Sequence, residues 1–145
     1  MIVEARAYSS FLESLVKGLW NFGTGPFYLS MMDDSYVFDD EHKYWSAIKD
    51  FEMVAENYPE GGYGLIFGDI EPFPSGELVL SANDFRMRNL TIQCSKFVVH
   101  GMTRVPFSVD TLMFYYELDQ PLVKDNQNVL VSFDSRGMLL FVYGE

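Results

Sequence analysis

Residues 129–143 read Val-Leu-Val-Ser-Phe-Asp-Ser-Arg-Gly-Met-Leu-Leu-Phe-Val-Tyr. Two apolar runs, Val129–Phe133 and Met138–Tyr143, flank the polar Asp134-Ser135-Arg136-Gly137, and Gly137 can supply the left-handed residue of a type I turn with a bulge. This is a β-hairpin signature, and the segments upstream repeat its grammar. Thr111–Leu118 alternates, with Met113, Tyr115 and Glu117 opposite Leu112, Phe114 and Tyr116. Asn89–His100 carries Thr91, Ile92, Phe97, Val98 and Val99 and predicts one or two long strands. Shorter strand signals fall at Phe27–Met32, Phe51–Glu56, Tyr63–Phe67 and Glu77–Leu80, separated by turn residues such as Pro59, Gly61, Gly62, Pro72, Pro74 and Gly76. About seven antiparallel strands at this spacing predict a mainly β chain, a β-sandwich or flattened barrel, with residues 1–145 as one domain.

Two short helices are expected near the N-terminus. Ser10-Phe11-Leu12-Glu13 fits a capping box, with the serine oxygen accepting a helix N–H and Glu13 reaching back. Phe11, Leu12, Leu15, Val16 and Leu19 then share one helical face, and Gly18 or Gly23–Gly25 would end the element. Further on, Asp33, Asp34, Asp39, Asp40 and Glu41 crowd five carboxylates into nine positions. Asp39 or Asp40 is placed to cap a second helix through His42, Tyr44, Trp45, Ala47 and Ile48.

Composition removes several function classes. The 145-residue chain holds 21 Asp and Glu against 10 Lys and Arg, a formal charge of −11. Nucleic acid is therefore a poor partner, because phosphate binding relies on cations that displace condensed counterions. Hydrophobic residues make up 48%, too many for a disordered acidic tail. The single cysteine, Cys94, excludes an internal disulfide and a thiolate zinc cluster, and reads as a buried thiol in a strand. The first residues do not read as a secretory signal, and no apolar run approaches the roughly 20 residues that span a bilayer, so no membrane partner is expected.

Chemical motifs are sparse. There is no nucleophile elbow, phosphate-binding loop, dinucleotide fingerprint or His-Glu-x-x-His. His42 reads as a solvated helix residue and His100 as a strand-end or turn residue, with no ligand spacing around either. The acidic stretch 33–41 is the strongest candidate for calcium, although it lacks the alternating ligands, central Gly and final Glu of an EF-hand; a solvated capping loop is the simpler reading. Paired carboxylates for glycoside hydrolysis could be drawn from too many acids to name. No catalytic residue, metal ligand or cofactor is assigned.

Aromatic residues are abundant, with 13 Phe, 9 Tyr and 2 Trp. Trp20, Tyr28, Tyr36, Tyr44, Trp45, Tyr58 and Tyr63 cluster in the first half of the chain and form the candidate contact surface, since Tyr and Trp anchor protein interfaces and stack on sugars. Filling the space between helix and sheet is their alternative use.

The order of these residues also resembles a family of small virion structural proteins of tailed bacteriophages. The resemblance runs through Phe11-x-x-x-Leu15-x-x-Gly18, the strand Phe27–Met31, Tyr36-x-x-Asp39-x-x-His42, Glu52 and Tyr58-x-x-Gly61-Gly62. It continues through Ser81-Ala82-Asn83-Asp84, Phe97–His100, Pro121-Leu122 and Phe133-x-x-x-Gly137. Nearly the whole chain is covered, and the collinear order rather than any single motif carries the likeness. Phe85 and Met87 stand where the family commonly has Trp, and Lys124–Asn128 replaces a Gly/Ser-rich turn. The resemblance implies a non-enzymatic virion protein assembled in the host cytoplasm, foremost a capsid decoration or cement protein bound to the major capsid protein or other virion proteins, acting as a trimer or dimer. The alternative is a tail-associated or fibre-attached component that binds carbohydrate. An acidic inhibitor that mimics DNA has only net charge behind it.

Overall fold

A computed structural model describes residues 2–68, 71–72, 78–79, 81–104, 108–133 and 139–143. Eight antiparallel strands appear among them: β1 (Ile2–Ala7), β2 (Phe27–Met32), β3 (Tyr63–Leu65), β4 (Glu71–Pro72), β5 (Leu78–Val79), β6 (Phe85–Met102), β7 (Asp110–Phe133) and β8 (Leu139–Tyr143). Six form one sheet in the order β1-β7-β6-β2-β3, with β8 also pairing β7, while β4 and β5 make a separate two-stranded ladder. The chain is thus mainly β with two short helices, α1 (Ser9–Val16) and α2 (Trp45–Ile48), the latter running into a 3-10 turn at Lys49–Phe51.

The hairpin that decided the class is present as β7 and β8, registered from Val129 opposite Tyr143 to Phe133 opposite Leu139. Its turn, residues 134–138, lies outside the described residues. Upstream, Thr111–Leu118 and Val129–Phe133 belong to one 24-residue strand, because Lys124–Asn128 continues the ladder instead of turning. The partner β6 is likewise a single 18-residue strand. A ribbon this long, roughly 3.3 Å per residue, would overrun a small protein if straight, and bulges bend it. Register shifts fall between Met87 and Leu90, Leu90 and Ile92, Cys94 and Lys96, and Val99 and His100. Asn89 and Asn126 take positive φ beside the shifts. The amides thrown out of the ladder find side chains: Asn89 N donates to Asn128 Oδ1 at 3.0 Å and Asn126 N to Thr91 Oγ1 at 3.0 Å.

Period-two alternation gives the sheet two buried faces. Phe27, Leu29, Met31, Phe97, Val99 and Met113 point into the larger cluster, which also takes Met87, Val129 and Val131 from the far end of the bent ribbon. Met32, Val98, Leu112 and Tyr115 point into the smaller cluster with Tyr8, Tyr36, Trp45 and Ile48.

Four local expectations are corrected. Helix α1 begins after Tyr8, and no side chain caps it. Ser10 is inside the helix and turns its hydroxyl to backbone carbonyls, 3.3 Å from Lys43 O and 3.4 Å from Leu112 O. Gly18 does end the helix: at φ +70° it gives its N–H to Leu15 O, and Leu19 N reaches Ser14 O, the paired bonds of a Schellman cap. The buried stripe is Ser10, Phe11 and Ser14, while Leu12, Leu15 and Val16 face outward, 54%, 43% and 88% exposed. The cause is Trp20, whose indole N–H donates to Ser14 Oγ at 2.7 Å while its ring packs on Phe11, so Ser14 sits inward at the helix end.

The second helix is one turn long and starts at Trp45 behind Tyr44, not at the acids. Asp33 and Asp39 instead accept from Ser35 N and Glu41 N in local turns, both at 2.9 Å. Phe51–Glu56 is not a strand: after the 3-10 turn only Glu52 bridges to Met32. The Glu52 carboxylate is taken by Tyr58 and Gly61.

Candidate functional site

The sole polar residue within β2, Ser30, organises the main polar constellation. It is fully buried and points to the same sheet face as Met32. On the adjacent β6, His100 is 1% exposed, and the first residue of β7, Asp110, lies beyond it. Ser30 Oγ is 2.7 Å from His100 Nε2, and His100 Nδ1 is 2.8 Å from Asp110 Oδ1. Trp45 stacks on the imidazole with centroids 4.0 Å apart and planes 4° from parallel. A serine, a histidine and an aspartate in this order have the geometry of an activated nucleophile.

Access decides what the arrangement can do. Acyl transfer needs a substrate carbonyl about 3 Å from the serine oxygen and from an oxyanion donor. Here the Gly61-Gly62 turn lies on Ser30. Gly61 O accepts from Ser30 Oγ at 3.0 Å, and a Cβ on Gly62 would run into the same oxygen and come within 2.6 Å of Leu29 O. The serine is therefore occupied from both sides, by imidazole below and backbone above.

The chain of bonds continues past the turn. Gly61 N donates to both carboxylate oxygens of Glu52 at 3.0 Å. Tyr58 donates to Glu52 at 2.6 Å and accepts from Met31 N at 2.9 Å. Burial, reinforced by the Glu52 carboxylate, holds the Tyr58 phenol well above its ordinary range. Asp110, His100, Ser30, Gly61, Glu52 and Tyr58 thus form one network tying β7, β6 and β2 to the turn that launches β3.

The acidic stretch has a different centre. Lys96 on β6 donates to Asp34 O at 2.7 Å and Tyr36 O at 2.6 Å, and Ser95 Oγ donates to Asp34 Oδ1 at 3.1 Å. The ammonium sits where the loop converges, and the carboxylates are drawn apart into their own turns. Among the described residues no group of three or more His, Cys, Asp or Glu is placed to hold a metal ion.

The seven aromatic candidates do not form one surface. Tyr36, Trp45 and Tyr58 are buried, Trp20, Tyr28 and Tyr63 are half-buried, and Tyr44 is exposed. Tyr36 is held inward by Tyr8, the two hydroxyls 2.7 Å apart, and by His42 Nδ1 at 3.1 Å. That bond places His42 in a half-buried turn rather than on a solvated helix. His100 lies two residues before the end of β6, where a strand-end reading puts it, and is buried there. Ser30 and Asp110 escaped sequence reading, since 70 and 10 residues separate them from His100; the one signal was a lone serine in an apolar strand.

Among the described residues no helix is long and apolar enough to cross a membrane. Compared with protein-family models, curated proteins and solved structures, the chain matches none of them.

Proposed function

We propose that this chain is a non-enzymatic structural protein of a bacteriophage virion, a decoration or cement protein that binds the outer capsid surface and stabilises the assembled shell. The observation that carries the reading is the outer face of α1. Leu12, Leu15 and Val16 lie at i, i+3 and i+4 and are open to solvent, whereas burying an aliphatic side chain of this size is worth about 1.5–3 kcal/mol. A partner surface that covers them recovers that energy, and because it exists only on the assembled lattice, binding favours the assembled state. The acids at Asp33, Asp34, Asp39, Asp40 and Glu41 are all exposed, which suits an outward face and disfavours contact with packaged DNA. Among the described residues, the serine, histidine and aspartate grouped for chemistry are sealed beneath Gly61-Gly62, which favours a protein without a catalytic role. The collinear likeness to small virion proteins supports the same reading: its Glu52, Tyr58, Gly61, Gly62 and His100 converge on the buried network.

Major capsid protein is the partner that fits, with a trimer or dimer of this chain around a lattice axis. The bent β6–β7 ribbon, whose two ends share one core cluster, supports a sheet that curls into a sandwich or flattened barrel.

A tail-associated or fibre-attached carbohydrate binder is the second reading. A shallow groove lined by Trp20, Phe22, Phe67 and Arg104 favours it, with Trp20 and Phe22 stacked 6.0 Å apart and 6° from parallel, a platform for a sugar ring. Copy number in purified particles, by quantitative mass spectrometry, separates the two. A decorator is present in hundreds of copies; a count of a few tens or fewer removes it in favour of the tail.

A further inference from the structure

We propose that Asp110, His100, Ser30 and Gly61 form a proton-operated latch on the turn that launches β3, closed when the imidazole carries both ring protons. Ser30 has one hydroxyl hydrogen and two acceptors that lack another donor among the described residues, His100 Nε2 at 2.7 Å and Gly61 O at 3.0 Å; the nearby Tyr58 oxygen already accepts from Met31 N. Asp110 Oδ1, 2.8 Å from Nδ1, draws a ring proton to that side. With a neutral ring, Nε2 presents a lone pair to Ser30 and takes its hydrogen, and Gly61 O loses its partner. With both nitrogens protonated, Nε2–H donates into Ser30 Oγ, the hydroxyl hydrogen goes to Gly61 O, and every atom of the chain is satisfied at once.

The groups that face His100 come from three elements. β7 contributes the Asp110 carboxylate. β2 contributes Ser30 and the ring of Tyr28, centroids 5.4 Å apart. α2 contributes Trp45, whose parallel face at 4.0 Å attracts a cation. Behind the turn stands a second carboxylate, Glu52, bound to Gly61 N.

Gly61 is therefore tied twice, by Glu52 at its N–H and by Ser30 at its carbonyl. Tyr63 follows two residues later and opens β3, the last strand in the sheet order. A second ring proton on His100 closes the Ser30 tie and its loss opens it, making the end of the sheet the part that responds.

The test is amide exchange by NMR on the full chain, expressed as protection factors for Gly62 to Leu65, with the His100 ring nitrogens followed in the same samples from pH 5 to 9. The expected result is a fall in protection of about three- to tenfold, the worth of one hydrogen bond, with the same midpoint as the ring. Ser30→Ala should keep the ring titration and lose the pH dependence of protection. Flat protection across the His100 titration, or an unchanged pH profile in Ser30→Ala, overturns the latch. If Ser30→Ala does not fold, the coincidence of midpoints in the unaltered chain decides alone.

Discussion

Gly62 lies against Ser30 so closely that the glycine has no room for a side chain. Its φ is +97°, and an added Cβ would meet the Ser30 hydroxyl and the Leu29 backbone, 2.6 Å from the carbonyl oxygen. One residue therefore closes the Ser30–His100–Asp110 constellation and seats the strand that follows.

Replacing it tests the closure. Gly62→Ala combines a left-handed backbone that L residues resist with an overpacked contact to a central strand. The expected loss is about 2–5 kcal/mol in urea unfolding. A variant within about 0.5 kcal/mol of the unaltered chain would mean that the turn does not press on β2.

Ser30 should be inert as a nucleophile. An active-site-directed fluorophosphonate probe is expected to leave it unlabelled under native conditions, because the oxygen is fully buried and shared between His100 and Gly61. Stoichiometric labelling at Ser30, read by peptide mass spectrometry, would reinstate an enzyme.

Alkali should unfold the protein from its buried acids. Burial pushes the Cys94 thiol up to about 12 from an ordinary 9.0, and the Tyr63 and Tyr116 phenols up to about 12 from 10.0. Burial also raises Tyr8, Tyr58 and Tyr115 further. Each group binds its proton more tightly folded than unfolded, so its contribution is complete below about pH 9 and is lost as pH climbs toward 12. At pH 10.5 the native protein should show little tyrosinate absorbance from these residues and no reaction of Cys94 with a thiol reagent. Both should then rise together in one cooperative step; ionisation at pH 10 without unfolding would contradict the burial.

Chelation and Lys96 address the acidic stretch. The melting temperature should not change on adding EDTA, since Lys96 already neutralises the point where Asp34 and Tyr36 carbonyls converge. Lys96→Gln should cost about 1–3 kcal/mol by leaving both carbonyls short of a charged donor. A chelator-sensitive melt would assign the loop a metal instead.

What could be read without coordinates follows physical range. The terminal hairpin and β2 were legible because period-two alternation and turn residues are local. The face of α1 was not, since Trp20, beyond the helix, decides that Ser14 points inward. Lys124–Asn128 reads as a polar turn until its bulge partners Thr91 and Asn89, over thirty residues earlier, are seen. The Ser30–His100–Asp110 chain is longer-range still and leaves only a serine out of place among Phe27, Leu29 and Met31. The tyrosine surplus was visible, but its destination was not: Tyr8, Tyr36 and Tyr58 are spent on buried hydrogen bonds, and aliphatic residues of α1 are among the exposed apolar side chains instead.

The most direct measurement of the central proposal is rebinding. Phage particles stripped of the protein are incubated with the purified chain, and bound copies and heat resistance are recorded for the unaltered chain and for a variant in which Leu12, Leu15 and Val16 are all changed to Ser. Saturable binding to expanded capsids with a gain in heat resistance, weakened at least tenfold in a variant that still folds, is the predicted result. No binding to capsids, or binding that leaves heat resistance unchanged, would contradict it.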